Sequence, residues 1–120
     1  MDRQATLSAG ISVSLGSDVA GGPDRSMVRV ARAMIEAAKQ VGAKPPTAAA
    51  CWTQITATNA DLLALPQTGR LKQGCWADLL IVRPTTPWLT TPDPLSHLLY
   101  AWDDRWLKAT ITAGEVRWMA

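Results

Sequence analysis

The run Ala9-Gly10-Ile11-Ser12-Val13-Ser14-Leu15-Gly16-Ser17-Asp18-Val19-Ala20-Gly21-Gly22 is the most informative in this 120-residue chain. From Ala9 to Leu15, apolar and small polar residues alternate, which is the period of a strand with one buried face. The alternation stops at Gly16-Ser17-Asp18, so Asp18 stands where a strand gives way to a turn. Gly21 and Gly22 permit backbone angles that other residues reach only at a cost. An aspartate ahead of such a turn commonly hydrogen-bonds its own backbone. A carboxylate at a strand end is also free to meet a ligand, and the neighbouring segments decide between the two.

Working outward, Asp24 is placed to cap a helix in which Met27, Val30, Ala31, Met34, Ala38 and Val41 form one stripe. Arg25, Arg29, Arg32, Glu36 and Lys39 take the opposite face, and Gly42 ends the helix. Pro45-Pro46-Thr47 opens a second helix through Ala50, Cys51, Trp52 and Ile55. Thr58-Asn59 is expected to interrupt it, with Asn59 capping a short third helix from Ala60 to Leu65 that Pro66 closes.

The texture changes at Gly69. Gly69 to Asp78 holds two glycines five apart and leads into the apolar run Leu79-Leu80-Ile81-Val82, which predicts two strands around a turn. Pro84 to Pro94 is too rich in proline for a ladder or a helix interior and is expected to be an ordered surface loop. Pro94 then starts a short helix carrying Leu95, Leu98, Leu99 and Trp102. The tail predicts a hairpin, Lys108–Thr112 and Val116–Trp118 around Ala113-Gly114-Glu115.

Composition narrows the classes. With 48% hydrophobic and 18% charged residues, the chain has the balance of a globular domain. Twelve Lys and Arg against ten Asp and Glu leave +2, scattered without the basic stripe that nucleic acid calls for. No run nears the roughly 20 apolar residues of a membrane span, and the first ten residues lack the features of a signal peptide. A cytoplasmic location is expected, with no nucleic acid and no membrane as partners. Cys51 and Cys75 have no CxxC spacing and read as buried thiols in a reducing compartment.

Three segments in order resemble the C-terminal part of the amidohydrolase superfamily, and within it the guanine deaminases. The first is Leu15-Gly16-Ser17-Asp18-Val19-Ala20-Gly21-Gly22 with Ser26-Met27 after it, where Ser17 replaces the threonine usual in that family. The second is Gly69-x-Leu71-x-x-Gly74-x-x-Ala77-Asp78-Leu79, similar to the segment that returns the chain from the barrel to a small β domain. The third is Leu98 to Arg105, ending Asp103-Asp104-Arg105, with Ala113-Gly114-Glu115 beyond it.

The resemblance implies an α/β fold: the C-terminal portion of a TIM-barrel amidohydrolase. Residues 1–66 would supply the last barrel strand and its helices. Residues 67–120 would return to the adjoining small β domain, with a short helix and the C-terminal hairpin. A self-associating α+β small domain is the alternative.

In the family, the aspartate at the end of the eighth strand contacts both the metal and the attacking water and accepts its proton. The resemblance thus makes Asp18 both the catalytic and the metal-ligating candidate, with zinc as cofactor and guanine or a similar amino-heterocycle as substrate. Carboxylates at that end of a barrel strand face the mouth where reactants collect, and zinc lowers the pKa of bound water toward about 7. A catalytic zinc takes about three protein ligands. His97, the one histidine, sits in a leucine-rich helix where the family has no ligand, and reads as a core or surface residue. The histidine ligands, and the groups that grip a purine, are expected upstream of Met1, so activity of this chain alone is not expected.

A lone barrel strand also leaves two unpaired edges, which predicts a homo-oligomer. Asp103-Asp104-Arg105 reads as a helix-end ion pair that fixes the last hairpin, in preference to a ligand clamp. The competing functional reading is a non-catalytic interaction module derived from such an enzyme. Its six tryptophans, Trp52, Trp76, Trp88, Trp102, Trp106 and Trp118, would then form either a partner surface or a core.

Overall fold

A computed structural model describes residues 2–22 and 24–120. It opens with a helix absent from the sequence expectations, α1 (Arg3–Ser8), whose start is fixed by the Asp2 carboxylate accepting the Gln4 and Ala5 N–H groups. Residues 11–18 follow without any strand partner. The expected alternation is present, since Val13, Leu15 and Ser17 are half-buried while Ser12, Ser14 and Gly16 face solvent. The expected ladder is not: a strand is defined by its neighbours, and among the described residues no strand flanks this segment.

Helix α2 (Met27–Gln40) matches the sequence pattern in extent, but its buried face is Val28, Ala31, Met34 and Ile35. Met27 and Val30 flank that stripe, and Val41 is exposed beyond the helix end. A Schellman motif closes α2: Ala43 N–H bonds the Ala38 carbonyl at 2.9 Å and Gly42 adopts φ 70°.

The next helical run overturns two expectations. It passes through Thr58-Asn59 unbroken, as α3 (Ala48–Thr53), a π-helical turn (Gln54–Thr58) and α4 (Asn59–Leu62). Asn59 therefore caps nothing; it is a helical residue with φ −61° and ψ −43° whose side chain is engaged elsewhere. The run also stops at Leu62, short of the expected Leu65, because Ala64 turns left-handed at φ 56°.

Gly69 to Asp78 forms no strand, contrary to expectation. Gly69 and Gly74 take φ 71° and 85°, which breaks any continuous extension. The one strand of this region is β1 (Leu79–Val82). A loop then leads to α5 (Pro94–Tyr100), capped by the Asp93 carboxylate on Ser96 N–H. A 3-10 turn (Asp104–Trp106) leads into β2 (Leu107–Thr112) and β3 (Glu115–Met119). Ala113 and Gly114, at φ 52° and 82°, make the two-residue type I′ turn that suits strand twist. The three strands form one antiparallel sheet, ordered β1-β2-β3, with Leu80 opposite Thr110 and Thr110 opposite Trp118.

One cluster holds the chain together: Val28, Ala31, Met34 and Ile35 of α2, Ala48 and Cys51 of α3, and Leu99 of α5. Leu99 is 1% exposed, and burying such a side chain contributes roughly 1.5–3 kcal/mol. Three tryptophans extend this core. Trp52 meets Trp102 edge-on at 6.2 Å, and Trp102 meets Trp106 at 6.3 Å. Their indole N–H groups are satisfied by the Leu95 carbonyl, the Asp104 carboxylate and the Thr85 hydroxyl. Trp76 and Trp118 are exposed. Among the described residues no helix is long and apolar enough to cross a membrane.

Candidate active site

Asp18 lies at the end of the alternating segment, exposed, in the left-handed region at φ 48°. Few residues other than glycine tolerate that region, and aspartate is among the more tolerant. The turn that follows is built on its backbone. Gly21 N–H bonds the Asp18 carbonyl at 2.8 Å, and Gly22 N–H bonds the same oxygen. The carbonyl, rather than the carboxylate, thus receives the hydrogen bonds of this turn, and the side chain is left for other use.

Both glycines lie against Asp18 or its neighbour. A Cβ on Gly21 would stand 2.8 Å from Asp18 Oδ2, and one on Gly22 would overlap the Ser17 carbonyl oxygen. The obstacle at Gly22 is backbone, whereas at Gly21 it is the end of the Asp18 side chain. Beyond the turn, the Asp24 carboxylate accepts Ser26 N–H at 2.8 Å, and that bond chiefly holds its pKa below the usual value. Arg29 bridges Asp24 at 3.2 Å and Asp104 at 3.1 Å, joining the Asp18 turn to the start of the last hairpin.

The other singled-out residues are not gathered around Asp18. His97 is half-buried on α5, with Nε2 3.0 Å from the Thr86 hydroxyl. Asp103 pairs with Arg105 in a forked contact and also accepts the Arg105 backbone N–H. Its pKa is lowered to about 2, first by the side-chain hydrogen bond from Arg105 and then by the backbone one. Cys51 is fully buried, and burial raises its pKa; both cysteines are free thiols.

An apolar hollow of about 480 Å³ opens between α2, α3 and β1, lined by Trp52, Ile55, Leu80, Val82, Trp88 and Trp102; Asp18 is not among its lining residues. Among the described residues, no three His, Cys, Asp or Glu side chains are grouped so as to hold a metal ion.

Sequence reasoning missed the two side chains that hold the Asp18 segment, Gln54 and Asn59. Asn59 bonds the Leu15 backbone, and Gln54 bonds the Val13 carbonyl. The signal that could have found Gln54 is a polar residue in the middle of the apolar face of a helix.

The chain matches the profile of the Amidohydrolase family over residues 2–117. Its fold is similar to E. coli guanine deaminase, with a TM-score of 0.86 at 20% identity, over 98% of this chain and 30% of that one. It is also similar to the guanine deaminase from C. acetobutylicum solved with bound guanine in the active site. There the TM-score is 0.79 at 22% identity, over 97% of this chain and 29% of that one. At such identities the likeness shows the fold, here the part of it that about 30% of either deaminase supplies. No curated protein matches the chain.

Proposed function

This chain belongs to the amidohydrolase family, and from that premise we propose that it contributes the Asp18 carboxylate to a site for hydrolytic deamination of guanine or a related amino-heterocycle. The observation that carries the reading is the Asp18 turn. Two glycine N–H groups bond the aspartate's carbonyl, and its carboxylate is exposed at the end of the alternating segment.

In the proposed reaction a water oxygen bonds to the amino-bearing ring carbon and the carbon–nitrogen bond breaks. Asp18 accepts the proton that the water sheds, and a proton returned to the departing nitrogen lets it leave as ammonia.

The donors present do not fit a zinc ion by themselves. Zinc at a catalytic site takes about three protein ligands, and among the described residues Asp18 belongs to no group of three His, Cys, Asp or Glu side chains that could hold one. The reading therefore requires further polypeptide that supplies the other ligands and the purine-gripping groups, consistent with the chain spanning about 30% of the deaminases it resembles.

The test is to combine the chain with the upstream part of a guanine deaminase and measure ammonia release from guanine. Restored release that Asp18→Ala abolishes is the expected result. Release that survives Asp18→Ala would remove Asp18 from the chemistry.

A second reading, a self-associating module, is favoured by the sheet. All five residues of β3 are exposed, Val116, Trp118 and Met119 among them, and the outer edges of β1 and β3 pair with no strand among the described residues. Such edges accept another chain. A homo-oligomer is expected in light scattering at micromolar concentration, and a sharp monomer mass would overturn it. The free thiols Cys51 and Cys75 suit a reducing, cytoplasmic setting for either reading.

A further inference from the structure

Residues 11–18 pair with no strand among the described residues, yet their backbone is not left without partners. Asn59 Oδ1 accepts the Leu15 N–H at 3.0 Å, and Asn59 Nδ2 donates to the Leu15 carbonyl at 2.7 Å. These are the two bonds that one residue of an adjacent antiparallel strand would exchange with Leu15. Two residues earlier, Gln54 Nε2 donates to the Val13 carbonyl at 2.8 Å. The two amides are themselves linked, Gln54 Nε2 to Asn59 Oδ1 at 3.3 Å, and Arg3 donates to Gln54 Oε1 at 3.1 Å. Gln54 is 3% exposed, the one buried polar side chain among the described residues, and this network is what satisfies it.

The helix has to be deformed for this to occur. In an α-helix, residues five apart point about 140° away from each other. In a π-helical turn, bonded from residue i to i+5, the wider winding brings them much nearer to one face. The Asn59 N–H bonds the Gln54 carbonyl in this way, so the π turn at Gln54–Thr58 is what brings the two amides to one face. Carbonyls two residues apart on an extended chain point to the same side, and the paired amides meet those of Val13 and Leu15.

We propose that Gln54 and Asn59 are positioning residues for Asp18: they stand in for a neighbouring strand and fix the direction in which the carboxylate, three residues past Leu15, leaves the segment. The inference rests on the reading of Asp18 given above. Three residues of extended chain reach about 10 Å, so a clamp at Leu15 restrains Asp18 from upstream. The Gly21 and Gly22 bonds restrain it from downstream.

The first test needs no variant. In the full chain labelled with nitrogen-15 and carbon-13, scalar couplings across the hydrogen bonds should link the Leu15 nitrogen to Asn59 Cγ and the Asn59 Nδ2 to the Leu15 carbonyl carbon. Their absence overturns the clamp. Asn59→Ala should then speed hydrogen exchange of the Leu15 amide at least about tenfold while the Ala31 and Leu99 amides keep theirs. Unchanged protection at Leu15 also overturns it. Should that variant fail to fold, Asn59→Asp keeps the acceptor and removes the donor, so the Leu15 N–H stays bonded and only the carbonyl coupling disappears.

In the chain combined with the upstream part of a guanine deaminase, Asn59→Asp should lower kcat about ten- to a hundredfold with KM for guanine held. An unchanged kcat overturns the positioning role. Couplings present beside an assembled wild type that releases no ammonia would confirm the clamp while overturning the catalytic reading of Asp18, and with it the positioning role.

Discussion

Gly69 packs directly on the carbonyl of Thr56, so closely that a Cβ at position 69 would stand 2.7 Å from that oxygen. Thr56 lies within the π turn, so the returning segment rests on the same deformation that aligns Gln54 with Asn59. Gly69 also holds φ 71°. Gly69→Ala therefore meets both backbone strain and a backbone clash, and should cost about 2–4 kcal/mol. Gly42 has the same left-handed conformation, φ 70°, but a Cβ there would meet nothing within 4 Å. Gly42→Ala should cost about 1–2 kcal/mol, the strain alone. Urea midpoints of the two variants decide it, and equal losses would show that the contact with Thr56 carries no weight.

Acid should release the Asp103–Arg105 pair in a defined window. The folded pKa of Asp103 is about 2 against an ordinary value of 3.8, so its contribution is present above pH 3.8 and is lost as pH falls toward 2. The wild type should melt above Asp103→Asn at pH 7, and the gap should close between about pH 4 and pH 2. Arg105 is 89% exposed, so the gap should be small and should narrow in high salt. A gap that is constant over that range in thermal melts would mean the pair contributes nothing through ionisation.

How much of this is legible in the sequence differs from element to element. Helix α2, the helix after Pro94 and the last hairpin are readable because each carries its own punctuation: Gly42, Asp93-Pro94 and Ala113-Gly114 act on the chain within a residue or two. The position of Asp18 between an alternating segment and a glycine turn is readable for the same reason, since both signals are local. The π turn is not, because Gln54–Thr58 has ordinary helical residues and the deformation answers to groups 41 and 44 positions away. Asn59 has the residue type of a cap, while its amide serves the Leu15 backbone. Of the two strands expected around Gly74, the earlier one does not form because strand pattern does not create a partner, while Leu79–Val82 finds one in β2.

The two thiols should separate by burial. Cys51 is 0% exposed in the central cluster and its pKa is raised by that burial, while Cys75 is half-buried. The reactive form is the thiolate. A disulfide reagent should titrate about one thiol per native chain, at Cys75, and a second only in denaturant. Fast reaction of both in the native chain would mean that the α2–α3–α5 core opens readily.

Gly21 and Gly22 offer a sharper probe of Asp18, because their obstacles differ in kind. A Cβ at Gly21 meets the end of the Asp18 side chain, 2.8 Å from Oδ2, and that carboxylate can swing aside. Gly21→Ala should therefore change stability by no more than about 0.5 kcal/mol while displacing the carboxylate. A Cβ at Gly22 meets the Ser17 carbonyl and lies 3.1 Å from that of Asp18, both backbone, so the turn itself has to open. Gly22→Ala should cost about 1–3 kcal/mol. In the assembled deaminase both should lose ammonia release, Gly21→Ala without a matching loss of stability. If Gly21→Ala is as stable and as active as the parent, the direction of the Asp18 carboxylate is immaterial and its assigned role cannot be right.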